Sequence, residues 1–122
     1  MARILVIEDN ADNMTLAVLL LKSAGHTVLS AVDAEAGLTL ARNERPNLIL
    51  MDVQLPGMDG LEATALLKGD AGTCAIPIVA LTALAMKGDE DRIRAAGCDG
   101  YIAKPMGIRD FLATVAVHLA RA

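Results

Sequence analysis

The run Leu48-Ile49-Leu50-Met51-Asp52 constrains this chain more than any other feature. Four apolar residues in succession leave no polar face, so a strand formed there has to be covered on both sides, as in a parallel sheet. The run ends on an acid, and the segment after it, Val53-Gln54-Leu55-Pro56-Gly57-Met58-Asp59, carries the Pro-Gly pair of a loop. Asp52 is thereby delivered to the carboxyl edge of a sheet. Its carboxylate could serve there as a nucleophile, a metal ligand or a helix cap.

Four other short runs share this character. Arg3–Ile7 stops at Glu8-Asp9-Asn10, Thr27–Ala31 is followed by Asp33, residues 78–81 follow Pro77 and end at Thr82, and Gly100–Ala103 ends at Lys104-Pro105. Helical stretches separate them: residues 12–24 before Gly25, 34–43 behind an Asp33 cap, 61–68, 85–96 before Gly97, and Ile108–Ala120. The first helix is expected to bury Leu16, Ala17, Leu20 and Ala24, and the last Ile108, Leu112, Val115 and Leu119. Strands alternating with helices predict an α/β fold, a five-stranded parallel sheet doubly wound with five helices. With 122 residues, 54% of them hydrophobic, the chain has one domain's worth of core, 1–122, and shows no repeat or linker.

Composition removes several function classes. Tyr101 and Phe111 are the only aromatic residues, and the net charge is -4, which excludes the basic, stacking surface of a nucleic-acid binder. No apolar run is long enough for a signal peptide or a membrane span. Cys74 and Cys98 lack metal-ligand or redox spacing and are expected to be reduced, in a cytoplasmic protein. His26 and His118 are expected on the surface, neither placed to carry a phosphoryl group.

Ligands of such sheets bind beyond the carboxyl ends of the strands. Glu8, Asp9, Asp52, Thr82 and Lys104 all fall there. Three carboxylates packed together repel one another and call for a cation among them. Oxygen ligands in this number fit magnesium, with positions left over for water and phosphate oxygens. Phosphoryl transfer to an aspartate needs this set: a carboxylate nucleophile, a metal to neutralise developing charge, and a lysine and a hydroxyl for the remaining oxygens.

The stretches Ile4-Leu5-Val6-Ile7-Glu8-Asp9-Asn10, residues 50–60, Ile78-Val79-Ala80-Leu81-Thr82-Ala83 and Tyr101-Ile102-Ala103-Lys104-Pro105 together resemble the response regulator receiver domains of two-component signalling. The resemblance covers the whole chain. Within the family it is strongest to single-domain regulators and to receivers of hybrid histidine kinases. It implies the flavodoxin-like strand order 2-1-3-4-5. It also implies that Asp52 is the phosphoacceptor, that Glu8, Asp9, Asp52 and the backbone carbonyl of Gln54 hold Mg2+, and that Lys104 pairs with the phosphoryl oxygens. Thr82 and Tyr101 would move as a coupled switch, the Lys104-Pro105 bond would be cis, and the small Ala83 would leave room for a phosphodonor. The implied partners are a histidine kinase or histidine phosphotransfer protein and a downstream protein target, met through the face of helix four, strand five and helix five. No DNA-binding output domain is expected, and the chain would be a monomer or a weak dimer on phosphorylation. A natural start at Met1 is favoured over a module cut from a hybrid kinase. Catalysis would be limited to its own phosphorylation and slow dephosphorylation. Leu55 and Leu84 depart from the family's pattern, and Gln54 and Leu84 leave the phosphoryl lifetime open.

Each acid alone would be an ordinary cap or loop residue, and Tyr101 could be a static core aromatic. Two other classes compete. A haloacid-dehalogenase-type phosphatase would carry a second Asp where Gln54 stands, and a flavodoxin-like electron carrier would not place acids in the first loop. Helix one carries more apolar residues than one buried stripe needs, so Met14 and Val18 are expected to form a docking patch beside the pocket.

Overall fold

The apolar runs become strands and the stretches between them helices. The computed structural model describes residues 2–83, 87–104 and 107–120, the side chains of 87–89 excepted. Along the chain these are β1 (Arg3–Ile7), α1 (Ala11–Ser23), β2 (Thr27–Ala31), α2 (Ala34–Glu44), β3 (Leu48–Asp52), α3 (Gly60–Lys68), β4 (Ile78–Thr82), α4 (Lys87–Ala95), β5 (Gly100–Ala103) and α5 (Ile108–Ala120). The strands pair in parallel in the order β2-β1-β3-β4-β5, the order that the family resemblance implies. Ala85, which opens the predicted fourth helix, and Leu84 and Pro105 lie outside the described residues.

Side chains alternate across a strand, and here both faces are buried. Leu5, Ile7, Ile49, Met51, Ile78 and Ala80 face a layer made by α2, α3 and α4, whose Leu38, Leu67 and Ile93 fill it. Ile4, Val6, Leu48, Leu50, Val79 and Leu81 face α1 and α5 through Ala17, Leu21, Phe111 and Val115. Burying each such aliphatic side chain contributes about 1.5–3 kcal/mol. The central strands β1, β3 and β4 are thereby rigid supports for whatever stands at their ends.

Short polar side chains start three of the helices. Asn10 Oδ1 accepts from the Asn13 N–H at 3.0 Å, Asp33 Oδ1 from Ala36 at 2.8 Å, and Asp59 Oδ1 from Glu62 at 2.9 Å, each satisfying an N–H that the first turn leaves without a partner. The Asp59 cap starts α3 at Gly60, one residue before the predicted position.

Two helices pack much of the expected stripe, Ala17 and Leu20 in α1 and Leu112, Val115 and Leu119 in α5, but each is rotated so that some expected residues face solvent. In α1 the buried residues are Ala17 and Leu21, with Met14 and Leu20 partly covered, while Leu16 is 37% exposed and Ala24 is the exposed C-cap. In α5, Phe111, Val115 and His118 are buried and Ile108 is 60% exposed. Phe111, the one phenylalanine, occupies the centre of the contact and sets the phase of the helix. His118 is therefore not a surface residue: its Nδ1 lies 2.9 Å from Thr114 O and its Nε2 3.3 Å from Asp99 O, which compensates for its burial. His26 is half-buried, with Nδ1 accepting from the Ala2 N–H at 3.3 Å.

α2 closes on Arg45, whose φ of 45° is left-handed and strains a residue bearing a Cβ. Arg45→Gly should raise stability by about 0.5–1 kcal/mol, the relief being partly offset by greater freedom of the unfolded chain. The measurement is the urea midpoint at constant slope; a midpoint that falls would contradict the strain.

Candidate functional site

After β1 the chain runs outward to β2 and re-enters the sheet on the other side of β1 as β3, so a crevice opens where the connections diverge. Ile7 and Met51 are partners in register, which places Glu8 and Asp52 next to each other on adjacent strands. Both are buried, at 1% and 4% exposure, and Asp9 stands exposed at the rim. One carboxylate oxygen from each of the three lies within 4.8 Å of the others.

Lys104 follows β5, held by its own N–H on Thr82 O at 2.8 Å. Its Nζ reaches Glu8 Oε1 at 2.7 Å and Asp52 Oδ2 at 3.2 Å, with the side chain 14% exposed. Backbone donors hold the remaining oxygens: the Gln54 N–H donates to Asp52 Oδ1 at 3.0 Å and the Asn10 N–H to Glu8 Oε2 at 3.2 Å. Thr82, the buried last residue of β4, sits one strand over from Asp52, since Asp52 pairs with Leu81. Tyr101 lies further back on β5, opposite Ala80, half-buried against the layer that contains Ile93. Of the residues singled out in the sequence, the structure brings Glu8, Asp9, Asp52 and Lys104 directly together and sets Thr82 at the adjoining strand end. Leu55 is a core residue and Ala83 is exposed beyond Thr82. Met14 and Val18 are both half-covered, Met14 by the α1–α5 layer.

Asp9 and Gln54 also line an open cleft of about 450 Å³ together with Pro56, Asp59 and Arg92. Arg92 had no signal in the sequence, because its position in a charged helix gave no reason to expect it beside the β3–α3 loop.

Burial dominates the electrostatics. It pushes Asp52 up to about 7, helped by the carboxyl of Glu8 and opposed by the Gln54 N–H and by Lys104. Burial also acts to raise Glu8, but the neighbouring Asp52 and Lys104 and the Asn10 N–H outweigh it and leave Glu8 below the usual carboxylate range. Lys104 is raised in spite of burial by the two acids it faces. One ammonium thus faces two buried carboxylates, and a further cation would favour ionising both. A divalent metal fits this donor set: three carboxylates converge, and beyond its ion pair with Lys104 the buried Glu8 Oε1 has no hydrogen-bond partner among the described residues.

A doubly wound sheet with an acidic pocket and a lysine over its switch point defines a class of metal-binding aspartate sites. Residues 4–116 match the response regulator receiver domain. The chain belongs to that family and is a receiver domain of two-component signalling. It is 44% identical over 119 residues, 98% of this chain and 97% of the relative, to the polar-differentiation response regulator DivK of Brucella anthropi, and equally to that of Brucella abortus. A receiver domain of a sensor histidine kinase from Pseudomonas aeruginosa, solved with a magnesium ion coordinated in its active-site cleft, superposes with a TM-score of 0.91 at 33% identity over 98% of both chains. A response regulator from Chloroflexus aurantiacus reaches a TM-score of 0.94 at 28% identity, again over 98% of both. No helix among the described residues is long and apolar enough to cross a membrane.

The protonation of Asp52 makes stability depend on pH. Its ordinary value is 3.8 and its folded value about 7, so between about pH 5 and pH 7 the folded protein holds a proton that the unfolded chain has lost. Glu8, lowered in the fold, is ionised in both states across that window. Stability without metal should therefore fall as pH rises from about 5 to 7, by at most about 1.4 kcal/mol per unit. Saturating Mg2+ or Asp52→Asn should flatten the slope in urea titrations; an unchanged slope in Asp52→Asn would place the titrating group elsewhere.

Proposed function

We propose that Asp52 accepts a phosphoryl group from a phosphohistidine on a histidine kinase or histidine phosphotransfer protein, with Glu8, Asp9, Asp52 and the Gln54 carbonyl holding Mg2+. The observation that supports this most is the buried Asp52 carboxylate, fixed by Gln54 N–H and faced by Lys104 at 3.2 Å beside two further acids. A carboxylate oxygen of Asp52 attacks phosphorus, the P–N bond to the donor imidazole breaks, and its electrons remain on the leaving nitrogen. Mg2+, when bound, neutralises charge on the transferring group and favours the ionised form of Asp52. Lys104, already between the two buried acids, is within reach of the oxygens that arrive, and Thr82 supplies a hydroxyl at the adjoining strand end.

Signalling follows from the same residues. Phosphorylation adds charge at Asp52, the Thr82 hydroxyl turns toward it, and half-buried Tyr101 moves into the space behind, changing the face of α4, β5 and α5 that a downstream protein reads. The donor domain docks on α1, where Val18 is half-exposed and Leu16 and Leu19 are open to solvent. Met14 shares this patch and also packs on the core, so its substitution would mix docking with stability.

Incubation with Mg2+ and acetyl phosphate should add one phosphoryl group by intact mass, and Asp52→Asn should add none. A gain that survives Asp52→Asn would overturn the assignment. Val18→Asp should slow transfer from a cognate phosphohistidine protein by about tenfold or more, the size expected for a buried charge at a contact. Its reaction with acetyl phosphate should be unchanged; equal loss by both routes would count against docking on α1.

A further inference from the structure

Gly60, the first residue of α3, lies against the backbone of Asp52 itself. A methyl group built on its Cα would overlap the Asp52 carbonyl oxygen, stand 2.9 Å from the carbonyl carbon and 3.0 Å from Val53 Cα. The Gly60 N–H donates to Val53 O at 3.0 Å. Gly57, three residues earlier, has a φ of 71° and open space around it, so it is a glycine for conformation. Gly60 is not left-handed, and the lack of space alone accounts for it.

Its other side is held as firmly. Thr64, wholly buried, donates its hydroxyl to Gly60 O at 2.8 Å, and the buried Cys98 thiol lies 3.8 Å from Thr64 Oγ1. Asp59 caps the same turn. The first peptide of α3 is therefore a fixed stop, closed from behind by the packed α3–α4 layer.

We propose that Gly60 is a positioning residue for the acceptor: by admitting α3 to direct backbone contact, it fixes where the Asp52 carboxylate stands relative to Lys104 and the other acids. This rests on Asp52 being the acceptor. The obstacle to a Cβ is backbone, so no rotamer change relieves it, and the displacement passes to Asp52. Gly100 offers the contrast, since the nearest atoms a Cβ there would meet belong to the His118 side chain, 2.6 Å away at Nε2 and at the far end of β5 from the site.

The experiment compares wild type, Gly60→Ala, Gly100→Ala and Thr64→Val by Mg2+ affinity from calorimetry, by rate of phosphoryl gain at saturating Mg2+ and phosphoramidate, and by urea stability. Gly60→Ala should weaken Mg2+ binding and slow phosphorylation by about 10- to 100-fold, the scale of an ångström's misplacement. Gly100→Ala should lose stability and keep both values. Thr64→Val, which releases Gly60 O without adding an atom near Asp52, should lower both by a smaller factor and decides the matter if Gly60→Ala does not fold. Wild-type values in Gly60→Ala or, should that variant be unfolded, in Thr64→Val would overturn the proposal, as would an equal loss in Gly100→Ala. Absence of phosphoryl gain in the wild type would instead remove the acceptor reading, leaving Mg2+ affinity to judge Gly60 alone.

Discussion

Two carboxylates shut away from water, with a third at their rim, set the terms for the rest of the molecule. Their mutual repulsion has to be balanced by cations, and one is built in: Lys104 reaches both Glu8 and Asp52 from the end of the edge strand β5. The balance is incomplete, since one ammonium faces two buried carboxylates, and burial, helped by Glu8, raises Asp52 to about 7. A cation bound among the three acids would favour the ionised form of Asp52. The burial that makes the pocket costly also makes it conditional.

The scaffold serves to keep that pocket from relaxing. Every residue of β3 and β4 is buried, so neither strand can shift to separate the charges without opening a core layer. The Asp52 oxygens are held by Gln54 N–H and Lys104, and its peptide meets α3 at Gly60. Solved structures at 28% and 33% identity share the same fold, which is what a core tolerant of volume-conserving exchanges allows. The acids and the lysine have no such equivalents, because a change of charge in this pocket leaves a partner buried and unpaired.

Much of this was legible in the sequence. Short apolar runs ending on acids, a threonine or a lysine gave β1, β3, β4 and β5 and the residues at their ends, and Asn10, Asp33 and Asp59 marked helix starts by their chemistry. What misled was the phase of the surface helices. α1 and α5 carry apolar residues on more than one side, so periodicity allowed several buried stripes; Leu16 and Ile108 were placed inside and stand exposed, while His118 was placed outside and is buried. Only the packing of Phe111 and Leu21 against the sheet chose between them.

By itself, then, the sequence determined which residues stand at strand ends and what chemistry they bring, because a strand's burial pattern and a cap's hydrogen bond depend on neighbours along the chain. Tertiary structure decided which of those ends meet. It buried Glu8 and left Asp9 at the rim, raised Asp52 above the usual carboxylate range, brought Arg92 to the cleft and set Gly60 against the peptide of Asp52. Each of these depends on distances between residues remote in the chain and on water being excluded between them, and neither quantity exists until the sheet has closed over its two layers of helices.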